Sequence, residues 1–199
     1  MGIKDAKLKF IIESAKTLFL KKGIVAVTIK DIAQEVGLGE ATIYRYFSKK
    51  QNIVVAIALS ILEGVSDEYF HSSRYKTGFE KIRAFYYSFD EIFKDHPEYF
   101  RFIAEFDEYI VGQPSNLNNY EQAIKGYYDE FEESYKLGLK DESIKEVGNL
   151  ELFYLSTTHA LLELCKKLAT EIKILKQDKK YKNEEIETLI EIFLNTIRK

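Results

Sequence analysis

Hydrogen-bond donors and cations are concentrated in the stretch GLGEATIYRYFSKKQNI, which runs from Gly37 to Ile53. An arginine such as Arg45 can donate two hydrogen bonds at once to the O6 and N7 atoms of guanine. Lysine ammonium groups, here those of Lys49 and Lys50, bind phosphate as point charges. Threonine and tyrosine hydroxyls lie within the same stretch. Together these side chains predict a surface that binds a polyanion, and the arginine favours duplex DNA.

The charged residues are divided unevenly along the chain. Residues 1–53 contain ten Lys and Arg against five Asp and Glu, a net charge of +5, and the remainder contains 19 against 27, a net charge of −8. A basic N-terminal part on an acidic remainder favours contact between that part and a polyanion. The alternative is a solvent-exposed face that is uneven by chance, and charge alone does not decide between the two.

Two short helices must position these side chains. Thr28 is a preferred N-cap, and Asp31 three residues later completes a variant of the capping box, so the first helix starts there and ends at a glycine. The second runs over about residues 40–47 and turns Ile43 and Phe47 inward. Two short helices joined by a glycine turn form a helix-turn-helix, whose second helix enters the major groove. Its outward side chains are Glu40, Ala41, Thr42, Tyr44 and Arg45.

The segment TIKDIAQEVGLGEATIYRYFSKKQNI, residues 28–53, closely resembles the DNA-binding signature of the tetracycline-repressor (TetR) family. The resemblance rests on the capped threonine, the Ile-Ala pair, the Gly-Leu turn and the Thr-Ile-Tyr of the second helix. It implies an all-α homodimer of about nine helices, with a helix-turn-helix head at residues 1–48 and a ligand-binding and dimerising body at residues 49–199. It also implies a transcriptional repressor that binds an inverted-repeat operator in double-stranded DNA and is released by a small-molecule inducer.

The same resemblance assigns contacts to individual residues. Thr28 and Lys30 match positions at which the first of the two short helices contacts the DNA backbone, and Lys50 matches a phosphate-binding lysine. Two positions depart from the family pattern, because Gly39 stands where Ser or Thr usually caps the recognition helix and Glu40 stands where basic or small residues are common. Glu40 favours the helix dipole or accepts from cytosine but repels phosphate, so the operator sequence cannot be taken from relatives. The predicted DNA-binding residues are Thr28, Lys30, Glu40, Ala41, Thr42, Tyr44, Arg45, Lys49 and Lys50.

The body is rich in aromatic residues. Ser48 is a natural N-cap for a long helix that joins the head to the body, and beyond it aromatic residues recur at helical spacing in one helix that ends before His96 and another that begins at Pro97. Such stripes form either plain core or a pocket for a planar or amphipathic compound, and the excess of tyrosine favours a pocket because each hydroxyl needs a partner. Glu105 faces either a cationic ligand or solvent. The predicted ligand-binding residues are Phe85, Phe89, Phe102, Glu105, Phe106, Tyr109, Tyr127, Tyr128, Phe131 and Thr157.

The last two helices are the predicted dimer interface. The first of them, over residues 150–168, has apolar residues on two sides, one through Leu161 and the other through Leu155. A helix that is apolar on two sides is buried on two sides. The final stripe, residues 186–197, follows the charged connector KILKQDKKYKNEE and includes Phe193. Both helices together predict a four-helix bundle between two copies of the chain.

Other functions find little support in the sequence. The single cysteine, Cys165, excludes an internal disulfide and a cysteine-rich zinc site, and the three histidines have no ligand spacing. Neither a phosphate-binding glycine loop nor a nucleophile elbow is present, so we expect no catalysis, no metal and no cofactor. The chain has no basic and apolar leader and no membrane-spanning run, which predicts a cytoplasmic protein. The alternative function is a helical small-molecule-binding or protein-interaction adaptor that has lost DNA binding.

Overall fold

The computed structural model describes residues 2–112, 116–170 and 180–199, which form nine α-helices. They are α1 (Ile3–Lys22), α2 (Ile29–Glu35), α3 (Glu40–Phe47), α4 (Lys50–Tyr69), α5 (Gly78–Asp95), α6 (Pro97–Ile110), α7 (Asn118–Lys140), α8 (Leu150–Ala169) and α9 (Lys182–Ile197). The prediction of an all-α fold with about nine helices is confirmed over this part of the chain. None of these helices has an apolar run that could cross a membrane. Much of the charged connector before α9 lies outside the described residues.

Local hydrogen bonds explain where the head helices begin and end. The Thr28 hydroxyl accepts from the Asp31 N–H at 3.1 Å, and the Asp31 carboxylate accepts from the Thr28 N–H at 2.7 Å. This pair is the predicted capping box. Hydrogen bonds from the Thr28 hydroxyl and amide lower the pKa of the Asp31 carboxyl. After α2, Gly37 takes a φ of +66°, which turns the chain toward α3.

The junction between α3 and α4 differs from the prediction of a Ser48 cap, which is wrong. Ser48 follows α3 with a φ of +60°, and Lys49, in an extended conformation, is the N-cap of α4. The chain has to reverse between two helices that nearly touch in sequence, and Ser48 makes that turn with its own backbone. The Asn52 side chain donates to the Phe47 carbonyl at 2.6 Å and closes the end of α3.

Two hydrophobic cores lie along the molecule. The first is formed by α1, α2, α3 and α4, and Phe102 and Phe106 of α6 complete it. The second is formed by α5 to α9 and contains Phe131 and Leu161. Cys165 is also buried there, and burial raises the pKa of its thiol to about 12. Because α4 and α6 contribute side chains to both cores, they join the head to the body.

The helices α5 and α7 cross where both have glycine. Gly78 is the first residue of α5, and its N–H donates to the Asp141 carboxylate at 2.8 Å, just beyond the end of α7. A Cβ atom on Gly78 would lie 2.1 Å from the backbone nitrogen of Gly138 and 2.4 Å from the carbonyl oxygen of Ser134. The two backbones are therefore in contact, and no side chain fits between them.

Candidate nucleic-acid interface and ligand cavity

Helix α3 separates packing residues from surface residues. Ile43 and Phe47 are buried in the core of the head, as predicted. On the opposite side Tyr44 is 49% exposed, and Arg45 is exposed with its guanidinium 5.8 Å from the ring centroid of Tyr46. Glu40 and Ala41 are also exposed, and Thr42 is half-buried. The helix is thus fixed by one side and presents donors on the other, which is the geometry that insertion into a major groove requires.

Three other predicted DNA-binding residues lie on the surface beside α3. Thr28 and Lys30 are exposed at the start of α2, and Lys49 is exposed just before α4. The Thr28 hydroxyl also donates to the Asp31 carboxylate at 2.6 Å, so it already has partners within α2. Lys30 and Lys49 are thus exposed cations of the head, and their contact with backbone phosphates stays a prediction.

Lys50 occupies a different position from the other eight residues. Its ammonium donates to the carbonyl oxygen of Ile24 at 2.5 Å and lies 3.4 Å from that of Val25. The ring centroids of Phe19 and Tyr109 lie 5.8 and 5.5 Å from its Nζ atom. Burial among these groups lowers the pKa of Lys50. In this structure the ammonium is turned into the protein, and its predicted contact with phosphate stays a prediction.

Glu105 is also directed toward Ile24. Its carboxylate accepts from the Ile24 N–H at 2.5 Å, across 81 residues of sequence. The neighbouring Gly23 has a φ of +85°, and a Cβ atom there would lie 3.0 Å from the Glu105 carboxylate. Glu105 therefore faces the head rather than a ligand or solvent. Sequence reasoning could not find this contact, because nothing in the local pattern joins α6 to the end of α1.

A cavity of about 240 Å³ lies in the body between α4, α5, α6, α7 and α8. Three of the predicted ligand-binding residues, Phe85, Phe89 and Tyr127, line it. The other lining residues are Ile61, Leu62, Val65, Phe70, Ile92, Tyr99, Phe100, Ile103, Tyr120, Ile124, Tyr154, Leu155, Thr158, His159 and Leu162. Part of this wall could be predicted from the sequence, because Leu155, His159 and Leu162 form the second apolar side of α8.

Seven of the predicted ligand-binding residues lie outside the wall of this cavity. Phe102 and Phe106 pack in the core of the head. The hydroxyls of Thr157 and the buried Tyr86 form a hydrogen bond of 2.8 Å with each other. The remaining four are Glu105, Tyr109, Tyr128 and Phe131. The helical stripes were broad enough to contain both core and cavity residues, and periodicity does not distinguish between them.

The cavity wall contains no Lys, Arg, Asp or Glu. The Tyr127 hydroxyl donates to the Leu62 carbonyl at 2.6 Å, and the Thr158 hydroxyl donates to the Tyr154 carbonyl at 2.6 Å, so both are satisfied within the protein. Burial raises the pKa of Tyr120 and of Tyr154 to about 12. Phenols are protonated at neutral pH at their ordinary pKa as well, and a protonated phenol can donate a hydrogen bond. The cavity is suited to a mainly apolar compound.

The fold and the exposed side of α3 define a helix-turn-helix DNA-binding protein. Residues 11–57 match the sequence model of the family described as bacterial regulatory proteins, tetR family. The chain is 28% identical over 196 residues to IcaR of Staphylococcus aureus, a negative transcriptional regulator of the biofilm operon icaADBC, with 92% of this chain and 97% of IcaR covered. The match to the tetR family model covers the DNA-binding part of the chain, and the chain is a DNA-binding transcriptional regulator.

Solved structures of the same fold extend over nearly the whole chain. The fatty acid degradation regulator FadR of Bacillus halodurans has a TM-score of 0.68 at 18% identity, with 94% of this chain and 98% of that chain covered. FadR of Bacillus subtilis in complex with stearoyl-CoA has a TM-score of 0.66 at 19% identity, with the same coverage. Among the described residues no group of His, Cys, Asp and Glu could hold a metal ion.

Proposed function

We propose that this protein is a dimeric transcriptional repressor that acts in the cytoplasm, binds an inverted-repeat operator through α3 and is released by an uncharged apolar ligand. The observation that carries the DNA-binding part is the exposure of Tyr44 and Arg45 on a helix held by buried Ile43 and Phe47. The similarity to the negative regulator IcaR over most of the chain supports the repressor assignment.

The exposed residues of the head divide into two groups by chemistry. Thr28, Lys30 and Lys49 are suited to backbone phosphates, which fix the position of the head but carry little sequence information. Arg45 has the two parallel donors that guanine requires, and Tyr44 and Thr42 offer hydroxyls beside it. Ala41 leaves room for close approach, and Glu40 favours the dipole at the start of α3.

Replacing Arg45 by Ala should weaken operator binding about tenfold to a hundredfold and relax base preference at one position of each half-site. The physical reason is the loss of a bidentate base contact worth about 1–3 kcal/mol. Fluorescence anisotropy with DNA from upstream of the protein's own gene, at several salt concentrations, measures the effect. Arg74→Ala, an exposed arginine far from α3 in sequence, is the matched control and should bind as the wild type does. Equal binding by both variants would mean that Arg45 makes no base contact, and a wild-type protein that does not bind the DNA would favour the alternative of an adaptor.

The ligand is proposed from the wall of the cavity. FadR of B. subtilis, which has the same fold, binds stearoyl-CoA, a compound with a long apolar acyl chain. The cavity wall here has no Lys or Arg for a phosphate or a carboxylate and no acidic residue for an amine, and its one histidine, His159, is exposed. A buried charge without a partner is strongly unfavourable, so a neutral ligand is favoured over both an anion and a cation.

Decan-2-one should bind the cavity and raise the melting temperature, whereas decanoate and decylamine of the same chain length should have little effect. At a concentration a hundred times its dissociation constant, a ligand adds about 2.7 kcal/mol to the free energy of unfolding. Leu162→Trp, which fills the cavity, should abolish the shift, and Leu139→Trp, on the exposed side of α7, should not. Thermal unfolding with each probe decides the ligand class, and a larger shift with decylamine than with the ketone would refute it.

The dimer is proposed from apolar residues that a single chain leaves exposed. Leu152 on α8 is 61% exposed and Ile192 on α9 is 56% exposed. Leu161, on one of the two apolar sides of α8, is fully buried in the core of its own chain and is not available to a second copy. Two neighbouring helices with outward leucine and isoleucine can pack against the same pair of a second chain as a four-helix bundle.

A further inference from the structure

The backbone of Ile24 is bound on both sides of its Cα atom by charged side chains. Its N–H donates to the carboxylate of Glu105 on α6, and its carbonyl oxygen accepts from the ammonium of Lys50 at the start of α4. We call Ile24, Lys50 and Glu105 the Ile24 clamp. Hydrogen bonds with a charged partner are shorter and stronger than those between neutral groups. Each of the two bonds joins a backbone group of Ile24 to a charged side chain.

The residues around the Ile24 clamp leave space for its hydrogen bonds and shield them from water. The Ile24 side chain is fully buried, so its peptide has limited access to water as an alternative partner. Gly23 leaves the space that the Glu105 carboxylate occupies, at a backbone conformation that other residues rarely adopt. Lys50 lies near the rings of Phe19 and Tyr109, which disfavour loss of its hydrogen bonds. Ile24 is only a few residues before Thr28, where α2 begins.

Both helices that reach the clamp also line the cavity. Helix α4 contributes Ile61 and Leu62 to the wall, and helix α6 contributes Tyr99 and Ile103. A displacement of either helix by a ligand would therefore act on the backbone of the same residue, Ile24, and through it on the start of the helix-turn-helix. The apolar contacts between the head and the body have no fixed direction, whereas these two hydrogen bonds do.

We propose that Glu105 and Lys50 are positioning residues for DNA binding, which hold the helix-turn-helix at one orientation to α4 and α6 by binding the backbone N–H and the carbonyl oxygen of Ile24. The inference rests on the proposed function and names the contact through which the body sets the position of the head. A head that is loosely held must be ordered when it binds, and this ordering lowers affinity. Lys50 acts here through the Ile24 carbonyl and not through a phosphate.

Glu105→Leu tests the proposal by the sign of its effect. Removing a negative charge near a polyanion site should tighten DNA binding if only electrostatics matters. Loss of positioning should instead weaken operator binding about tenfold, because Ile24 loses a charged hydrogen-bond partner. Glu108→Leu is the matched control, since Glu108 is an exposed carboxylate on the same helix with no hydrogen bond or ion pair among the described residues. It should bind DNA as well as the wild type or slightly better.

Two further variants complete the experiment. Glu105→Gln keeps an acceptor for the Ile24 N–H and should recover most of the affinity that Glu105→Leu loses. If Glu105→Leu does not fold, Glu105→Gln is compared with Glu108→Gln instead, and it should bind DNA more weakly than that control. Lys50→Gln should weaken binding with little change in the slope of log affinity against log salt, whereas a lysine that binds phosphate changes that slope by about 0.9. Lys49→Gln, at an exposed lysine, should show the change in slope.

The outcomes separate the two levels of the proposal. If the wild-type protein does not bind operator DNA, the proposed function fails and the clamp inference fails with it. If the wild type binds and Glu105→Leu binds equally well or better, the clamp inference alone is wrong. A reduction of the salt slope in Lys50→Gln like that in Lys49→Gln would also overturn it, because Lys50 would then be a phosphate ligand.

Discussion

Gly78→Ala should destabilise the body by about 3 kcal/mol or more, at the upper end of what overpacking costs. The new methyl group would lie 2.1 Å from the backbone nitrogen of Gly138, and a backbone atom cannot rotate away as a flexible side chain can. Helix α5 would have to move away from α7, and the hydrogen bond from the Gly78 N–H to Asp141 would be stretched or lost. Because whole domains are stable by only about 5–15 kcal/mol, much of the protein would be unfolded at moderate temperature.

Gly126→Ala is the matched control for this prediction. Gly126 lies in α7, the same helix as Gly138, and a Cβ atom there has nothing within 4 Å. Alanine favours an exposed helix over glycine by about 1 kcal/mol, so this variant should be slightly more stable than the wild type. Urea unfolding followed by circular dichroism measures both changes. If the two variants unfold at the same urea concentration, the close approach of α5 and α7 is not present in solution.

Replacing Leu152 and Ile192 together by Glu should convert the protein from a dimer to a monomer and lower operator affinity by about a hundredfold or more. Both side chains are more than half exposed in one chain, so glutamate is tolerated in the monomer. In a bundle of α8 and α9 with their counterparts, the four added carboxylates would be brought together without partners. Loss of the dimer removes the second head, and with it the gain of about 10²–10⁴ that linked binding sites provide.

Sedimentation velocity and DNA titration on the same samples test the prediction. Leu139→Glu introduces the same charge at an exposed leucine of α7 and should leave both the dimer and operator binding intact. A double variant that remains dimeric would place the interface on another surface. A double variant that becomes monomeric but keeps wild-type affinity would mean that one head suffices for the operator, which contradicts the proposed inverted repeat.

The features that sequence reasoning predicted correctly are determined by neighbouring residues. The capping box of Thr28 and Asp31, the inward turn of Ile43 and Phe47, and the start of α6 at Pro97 all depend on contacts within one or two helical turns. Such contacts are encoded by residue type and spacing. The prediction of a Ser48 cap was wrong for a local reason as well, since only Ser48 and Lys49 lie between the two helices, and Ser48 makes the turn while Lys49 is the N-cap.

The rest of the site depends on contacts between distant parts of the chain. Glu105 was expected to face a ligand or solvent, and its partner is a backbone amide 81 residues earlier in the sequence. Phe85 and Phe89 line the cavity whereas Phe131 packs in the core, although all three lie in aromatic stripes. A stripe identifies the buried side of a helix but does not specify which neighbour covers it, because that depends on how the helices cross.

The separation of exposed from buried residues on α3 also has a consequence for how the operator sequences of such regulators change in evolution. Tyr44 and Arg45 are exposed and contribute little to the hydrophobic core, whereas Ile43 and Phe47 hold the helix in place. After a gene duplication, the outer positions of α3 can therefore change and acquire a new operator while the protein still folds. One copy can in this way come to control a different set of genes with its inducer unchanged. Operator preference and inducer preference can therefore change independently in evolution, as long as the contacts between the head and the body are retained.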